Sequence, residues 1–429
     1  MSVFPAAAAQ RGWSNSRSLW AHRDFLRLFA AQSVSLFGSE ITLIALPLTA
    51  VLVLGASPAQ MGLLAAAEKL PYMLVGLFAG VWVDRLRCRS VLVAADVGRA
   101  LLLGSIPVAA ALGVLHMEHL FLVALLAGTL TVFFDVAYQS FLPELVDRSQ
   151  LADGNGKLEG SKSVAEMAGP LLGSALLQIA AAPFAISIDA LSFVVSGLFL
   201  RSIRTSVAPR VGAARGGMLA EVAVGIRLVV RHPLLRPIAA CSATMNLFYQ
   251  MLSAVYILYV TTELHLAPAL VGIVFGIGSL AGLGGAMLAA RAAQRLGTGT
   301  TLMVSTIVSG LAGLGIAATH PGETMLPALV IAQMVMMFGA PIYNINQLSM
   351  RQSITPCGLR GRVNATNRCL VWGTMPIGSL FGGVLGQSIG LQPTIAVAAS
   401  GMLLAAVWIA ASPVRKLTSQ KLATLAQLA

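Results

Sequence analysis

Six acids stand in stretches that are otherwise apolar: Glu40, Glu68, Asp96, Asp135, Glu166 and Asp189. All fall in the first half of the chain, and the apolar stretches of the second half hold none. An ionisable side chain surrounded by hydrocarbon is costly, and one that persists there commonly carries a proton, an ion or a substrate. Glu40 is the sharpest case, because "SLFGSEITLIALPLTAVLVL" (Ser35 to Leu54) has no basic residue from Arg27 to Lys69. An acid so placed can take a proton at one face of a membrane and release it at the other. Glu166 is the second candidate for that proton coupling. Two other readings of Glu40 stand beside it: contact with a cationic substrate, or a neutral, hydrogen-bonded acid that packs its helix. Asp96 and Arg99 are three apart and share a helix face, which suits a structural pair. Glu68 adjoins Lys69, although neighbours on a helix point about 100° apart. Asp189 is expected near the end of its stretch as a partly hydrated polar site.

The elements that hold these acids follow from bulk composition. Of 429 residues, 57% are hydrophobic and 10% charged, and mean hydropathy is +0.83. A soluble domain carries about 25% charged residues, so lipid must replace the missing polar surface. Crossing about 30 Å of hydrocarbon takes about 20 apolar residues. Twelve segments qualify: 28–52, 59–83, 90–114, 119–142, 163–182, 184–200, 237–260, 268–290, 299–318, 324–350, 368–389 and 391–412. Helices are expected throughout, since no lipid-facing backbone group can go unpaired. Pro47, Pro71, Pro107, Pro170, Pro341 and Pro376 mark expected kinks.

Charge placement orients the helices. When the connections are sorted by side, 26 of the 28 Lys and Arg fall on the side of the N-terminus, and Lys69 and Arg99 lie within spans. Cytoplasmic loops carry that excess, so both termini are expected in the cytoplasm. The net charge of +12 therefore reflects topology, and a nucleic-acid partner is not expected. The domain organisation that results is an N-terminal tail (1–24), a six-helix bundle (25–200), an Arg-rich linker (201–236), a second six-helix bundle (237–413) and a C-terminal tail (414–429). The stretch before Arg23 lacks an apolar core followed by a cleavage site, so it is expected as a tail and not a cleaved signal. In the linker, "GGMLAEVAVGIRLVVRHPLLR" suits a short amphipathic helix on the membrane surface, with a plain solvated linker as the other reading.

The halves repeat each other. Pro58-x-x-x-Gly62 matches Pro268-x-x-x-Gly272, Tyr138 matches Tyr343, and Pro170-x-x-Gly173 matches Pro376-x-Gly378, at offsets near half the chain. Between the second and third spans stands "GVWVDRLRCRSVL", with the order Gly80-x-x-x-Asp84-Arg85-x-x-x-Arg89. This resembles the signature loop of the major facilitator superfamily, with Arg87 and Cys88 as departures. The second half's equivalent turn, Gly285 to Gly297, has Ala289 in place of the acid. "FLPELVDRSQLADGNGKLEGSKSVAEMAGPLLG" (Phe141 to Gly173) and "CGLRGRVNATNRCLVWGTMPIGSLFGG" (Cys357 to Gly383) resemble the branch that holds bacterial macrolide-efflux proteins and the enterobactin exporter.

The resemblance implies an all-α integral membrane fold of twelve helices in two pseudo-symmetric six-helix bundles. It implies a monomeric secondary transporter of the bacterial inner membrane, exporting a small amphipathic molecule (a drug, macrolide-like antibiotic, siderophore or metabolite) in exchange for protons. Gly80, Asp84, Arg85, Arg89 and Asp135 would form a cytoplasmic gate, with Asp84 near the positive end of the eleventh helix. Gly169, Pro170 and Gly173 resemble the Gly-Pro-x-x-Gly-Gly element of drug–proton antiporters, with Ser174 in the last place. The fourth span lacks the arginine that many proton-coupled relatives carry. Asn246, Tyr249, Gln250, Met337, Tyr343 and Asn344 are candidates for a substrate cavity, as methionines and amides adapt to varied ligands; core packing explains them nearly as well.

Other chemistries find little support. Cys88, Cys241, Cys357 and Cys369 show no ligand spacing, "HMEH" (His116 to His119) lacks further ligands, and no Gly-Lys-Ser/Thr phosphate cradle occurs. Neither an enzyme, nor a metal, nor another cofactor is expected. A proton-coupled importer and a non-transporting receptor or scaffold remain as rivals. Labelling of single cysteines in intact cells tests the orientation. The 201–236 connector and the tail after Pro413 should react from the cytoplasmic face only, and reaction from opposite faces would refute the twelve-span reading.

Overall fold

The structure is a computed structural model. It describes residues 19–76, 79, 82–83, 86–147, 150–204, 226–355 and 360–417. Among these are twelve long helices: α1 (Arg23–Leu52), α2 (Pro58–Leu74), α3 (Cys88–Ala111), α4 (Met117–Leu145), α5 (Leu151–Leu176), α6 (Ala182–Ser202), α7 (Leu235–Thr262), α8 (Pro268–Leu296), α9 (Thr298–Ala317), α10 (Met325–Ser353), α11 (Arg360–Ile389) and α12 (Leu391–Ala410). The described residues contain no strand. Of the expected linker helix, 216–225 lie outside the described residues, and 226–231 are helical.

Each expected span is helical, but several boundaries move. α5 runs from Leu151 to Leu176 instead of 163–182, α11 begins at Arg360 instead of 368, α8 continues to Leu296 instead of 290, and α2 is interrupted by a turn at Val75, after which 76, 79, 82 and 83 are again helical. Apolarity marks where a helix enters hydrocarbon, whereas the helix itself continues wherever its backbone bonds can form. Among the described residues, nine helices are long and apolar enough to cross a membrane by composition alone. The three that fall short are α2, α5 and α11. α2 falls short by length, at 17 residues, whereas α5 and α11 are helices that face the opposite bundle, where lipid does not dictate an apolar surface.

Helix packing follows the sequence repeat. In the first bundle α1 packs on α5 and α6, α3 on α4 and α6, and α2 on α4. In the second, α7 packs on α11 and α12, α9 on α10 and α12, and α8 on α10, which is the same pattern six helices later. The bundles meet chiefly through α2 against α11 and α5 against α8, again a symmetric pair. The repeat extends to turn geometry. Ala56 N–H donates to Ala50 O at 2.9 Å after α1, and Leu266 N–H donates to Val260 O at 2.8 Å after α7. Gly55 has φ +61° in the first turn, and His265 has φ +53° at the matching place in the second. A side chain in this left-handed region is uncommon, so the common turn outweighs the local strain.

α2 starts with a reciprocal cap. Ser57 Oγ accepts from Gln60 N–H at 3.3 Å, Gln60 Oε1 accepts from Ser57 N–H at 2.9 Å, and Pro58 occupies the first turn. One turn further, α2 meets α11 backbone to backbone. A Cβ on Gly62 would lie 2.6 Å from Gly383 Cα and 2.6 Å from Ser379 O. On the symmetric side, a Cβ on Gly272 would lie 2.5 Å from Pro170 O. Small residues permit such approach between membrane helices. Both contacts sit at the end where α2 and α8 begin, so that end is sealed.

Gly62→Leu cannot fit this seam. The variant is expected to insert normally and to lose transport. A cysteine at position 250, in a background free of native cysteines, should then become labelled from the sealed face. Wild-type transport by Gly62→Leu would show that the seam is not required.

Candidate functional site

Opposite the seam, the bundles part around a cavity of about 1130 Å³. Its mouth takes Gln32 and Ser35 from the start of α1, Tyr138 and Gln139 from the end of α4, and Asn155, Glu159 and Lys162 from the start of α5. Trp372 and Met375 of α11 complete the wall. The early start of α5 thus has a role, since its polar first turns line water instead of lipid. Deeper in, Lys69 and Gln250 are shared with a second chamber of about 290 Å³ beneath the seam. Its walls carry Tyr249, Tyr256, Phe275, Gln333 and Met336. Tyr256 and Phe275 meet edge to face at 5.5 Å, and the buried Tyr256 hydroxyl has no hydrogen-bond partner among the described residues.

The charged groups divide by setting. Lys69 Nζ pairs with Glu68 Oε1 at 2.5 Å, with 29% and 40% of the side chains exposed. The pair forms despite adjacency in sequence, because both long side chains turn into the same aqueous space. Asp135 accepts from Tyr72 Oη at 3.1 Å, and the Tyr72 ring meets Trp372 edge to face at 4.8 Å, which links α4 through α2 to the second bundle. Asp96 and Arg99 form the expected pair, at 2.5 Å and with 0% and 6% exposure. Asp189 departs from expectation. It is 1% exposed and packs where α6 crosses α1, so close that a Cβ on Gly38 would lie 2.5 Å from Asp189 Oδ1. Position along a span says little about burial, which depends on the face that the neighbouring helix covers.

Glu40 lies on the antiporter-like element. A Cβ on Gly169 would collide with Glu40 Cβ, and one on Gly173 would lie 3.6 Å from Ile41 Cα. These two glycines let α5 lie against α1, and Pro170 O faces Gly272 of the seam on the other side. Glu40 is half-buried and has no ion pair among the described residues. The charged groups that act on it are Glu166, Lys162, Lys69 and Asp189. Glu166 is itself exposed and stands 3.6 Å from Lys162 Nζ.

The other sequence candidates scatter. Tyr249 and Gln250 line the chambers. Tyr343 lies in the second bundle's core instead, 7% exposed, its hydroxyl 2.8 Å from Ser242 Oγ. Asn246 donates to Ser242 O of its own helix at 2.9 Å, Met337 packs on the core around Gly278, and Asn344 is exposed. A run of polar and methionine residues winds round its helix, and only the face turned to the seam can meet a substrate. Gln333, Met336 and Tyr256 are on such faces and were not singled out by composition. Of the gate, Gly80, Asp84 and Arg85 lie outside the described residues. Arg89 donates from Nη2 to Arg201 O at the end of α6, at 2.5 Å, within the first bundle.

Two repeated six-helix bundles around a chambered cavity, sealed at one end, define a membrane transporter. The profile of the Major Facilitator Superfamily matches residues 28–375 and again 238–427, and the chain belongs to that superfamily. It is 29% identical over 391 residues to the multidrug efflux pump Tap of Mycolicibacterium fortuitum, covering 89% of this chain and 93% of that one. Among solved structures, the nucleoside transporter NupG superposes with a TM-score of 0.71 at 14% identity, over 90% of this chain and 98% of that one. A bacterial homologue of the iron transporter ferroportin, in an inward-facing state, gives 0.71 at 19% identity, over 92% and 99%.

The contact between Glu40 and Gly169 makes a graded expectation. Gly169→Ala forces overpacking at the α1–α5 crossing and should lower stability by about 1–3 kcal/mol, read as an earlier thermal transition in detergent. Gly160→Ala on the same helix meets open space and should leave the transition unchanged. Equal behaviour of the two variants would remove the crossing from the account.

Proposed function

We propose that this transporter exports small amphipathic, drug-like molecules from the cytoplasm in exchange for protons, with Glu40 as the coupling acid and Glu166 assisting. The observation that carries this reading is the position of Glu40. It lies on the helix crossing that ties α1 to Pro170 and hence to the seam, one residue from Ser39 of the cavity wall. A change of protonation there alters the packing of α1 on α5, and α5 makes one of the two main contacts between bundles. Rocking of the bundles about that seam would expose the chambers to each side in turn.

The chambers support an amphipathic cargo. Aromatic and methionine surfaces lie beside two amides and the Lys69–Glu68 pair, so one end of a ligand can be apolar and the other polar. The efflux activity in the name of the similar mycobacterial pump supports the outward direction. In this reading the molecule is a monomer of the inner membrane, with both termini and the open cavity facing the cytoplasm, as the arginine distribution favours. The gate of Gly80, Asp84, Arg85, Arg89 and Asp135 would close that mouth in the opposite state. The Tyr72–Trp372 contact supports a role for Asp135, since it already joins the bundles there.

Purified protein in liposomes with an imposed pH gradient, assayed against a panel of amphipathic antibiotics and siderophores, tests the proposal. At least one compound should move against the proton flow, and Glu40→Gln should reduce that gradient-driven flux to the level of empty liposomes. If Glu40→Gln keeps pH-dependent efflux at wild-type rates, Glu40 is not the coupling acid.

A further inference from the structure

The large cavity does not end between the bundles. A side chamber of about 180 Å³ leads from it into the first bundle. The two spaces share Ser39, Lys69, Tyr72, Arg99 and Thr131 in their walls, and Asp189 lies on the wall of the side chamber alone. Water takes about 30 Å³ per molecule in the liquid, so the side chamber has room for several, with polar groups to hold them.

Asp189 is fully buried and enters no ion pair among the described residues. Its Oδ1 accepts from Ser192 Oγ of its own helix at 3.2 Å. On the same chamber wall, Arg99 lies between the rings of Phe134 and Phe193, its guanidinium carbon 4.3 Å and 4.0 Å from their centroids. Arg99 Nη2 donates to Asp96 Oδ1 at 2.5 Å. Among the described residues, Arg99 Nε and Asp96 Oδ2 are buried without a hydrogen-bond partner, as is the hydroxyl of Ser196 beside Asp96. Buried polar groups are seldom left so. Ring faces attract a planar cation without fixing which carboxylate it pairs with. The charged and titratable groups around Asp189 are Glu40 from α1, Asp96 and Arg99 from α3, and Glu68, Lys69 and Tyr72 across the chamber from α2. Lys69 is committed to Glu68, which leaves Arg99 as the available cation.

We propose that Asp189 is a second proton site of the transport cycle, inside the first bundle, and that Arg99 is its exchange partner. In the present arrangement Arg99 serves Asp96 alone and Asp189 holds its proton. When the guanidinium turns its unused donors to Asp189, the O–H bond breaks, its electron pair stays on the carboxylate, and the proton passes to a chamber water and out through the main cavity. The cation then bridges two carboxylates. The reverse step takes a proton from water and returns Arg99 to Asp96. This inference rests on the proton-antiport reading but not on Glu40, which lies on the other face of α1 against α5.

Infrared pH titration of the full chain in lipid nanodiscs reads the site without any substrate. The carbonyl stretch of a protonated carboxylic acid should disappear with rising pH in the wild type. Asp189→Asn should remove one such carboxyl from the difference spectrum, Asp189→Glu should restore one at a displaced position, and Arg99→Gln should leave the band in place throughout, because no cation replaces the proton. Glu40→Gln should keep the Asp189 band even where it abolishes gradient-driven flux, which separates the two assignments. An Asp189→Asn spectrum identical to wild type, with a wild-type thermal transition, would overturn the proposal, as would an Arg99→Gln band that titrates as in the wild type.

Discussion

A charge inside hydrocarbon must be paired, neutralised or bathed by water that the protein itself holds. That constraint sorts the ionisable residues of this transporter more sharply than any motif. Asp96 is paired in the core with Arg99, and the aromatic rings on both faces of the guanidinium replace part of its hydration. Lys69 and Glu68 keep partial exposure and lie in the walls of the two smaller chambers. Asp189 is buried with no ion pair among the described residues, its carboxylate accepting from Ser192 Oγ of its own helix. Glu40 lies between these cases, half-buried on a crossing where glycine leaves no slack.

The second constraint is symmetry. A duplicated bundle repeats its internal contacts, its turns and its two points of attachment to the other half. The attachments bring glycine or proline backbone into direct contact at the sealed end. Close packing of this kind is discrete, because backbones either fit or separate, and packed interfaces switch instead of deforming continuously. The seam closes one end of the molecule, and Glu40 lies one helix crossing away from it. The chain of contacts runs from Glu40 to Gly169, through Pro170 to Gly272, and so into the second bundle. Asp135, Tyr72 and Trp372 make a similar chain at the open end.

The helices were legible in the residues because lipid enforces a simple rule: long apolar runs, broken by polar turns with arginine on one side. The internal repeat was legible for the same reason, as Pro58 and Pro268 stand at equivalent helix starts. The Asp96–Arg99 pair followed from spacing along one helix. Where a contact depends on a residue within three or four positions, sequence is enough.

Contacts between helices were a different matter. Nothing in the order of residues announces that Glu40 meets Gly169, that Asp189 packs against Gly38, or that Tyr343 turns into the core while Gln333 and Tyr256 face the chamber. A helix presents every side chain to some direction, and only packing against its neighbours selects lipid, core or cavity for each. The polar first turns of α5 show the same dependence: they read as a loop until the cavity supplied their solvent. Membrane class and helix count are thus local properties of the chain, fixed by transfer into lipid, whereas the chemistry of each acid was set by which helix came to lie against it.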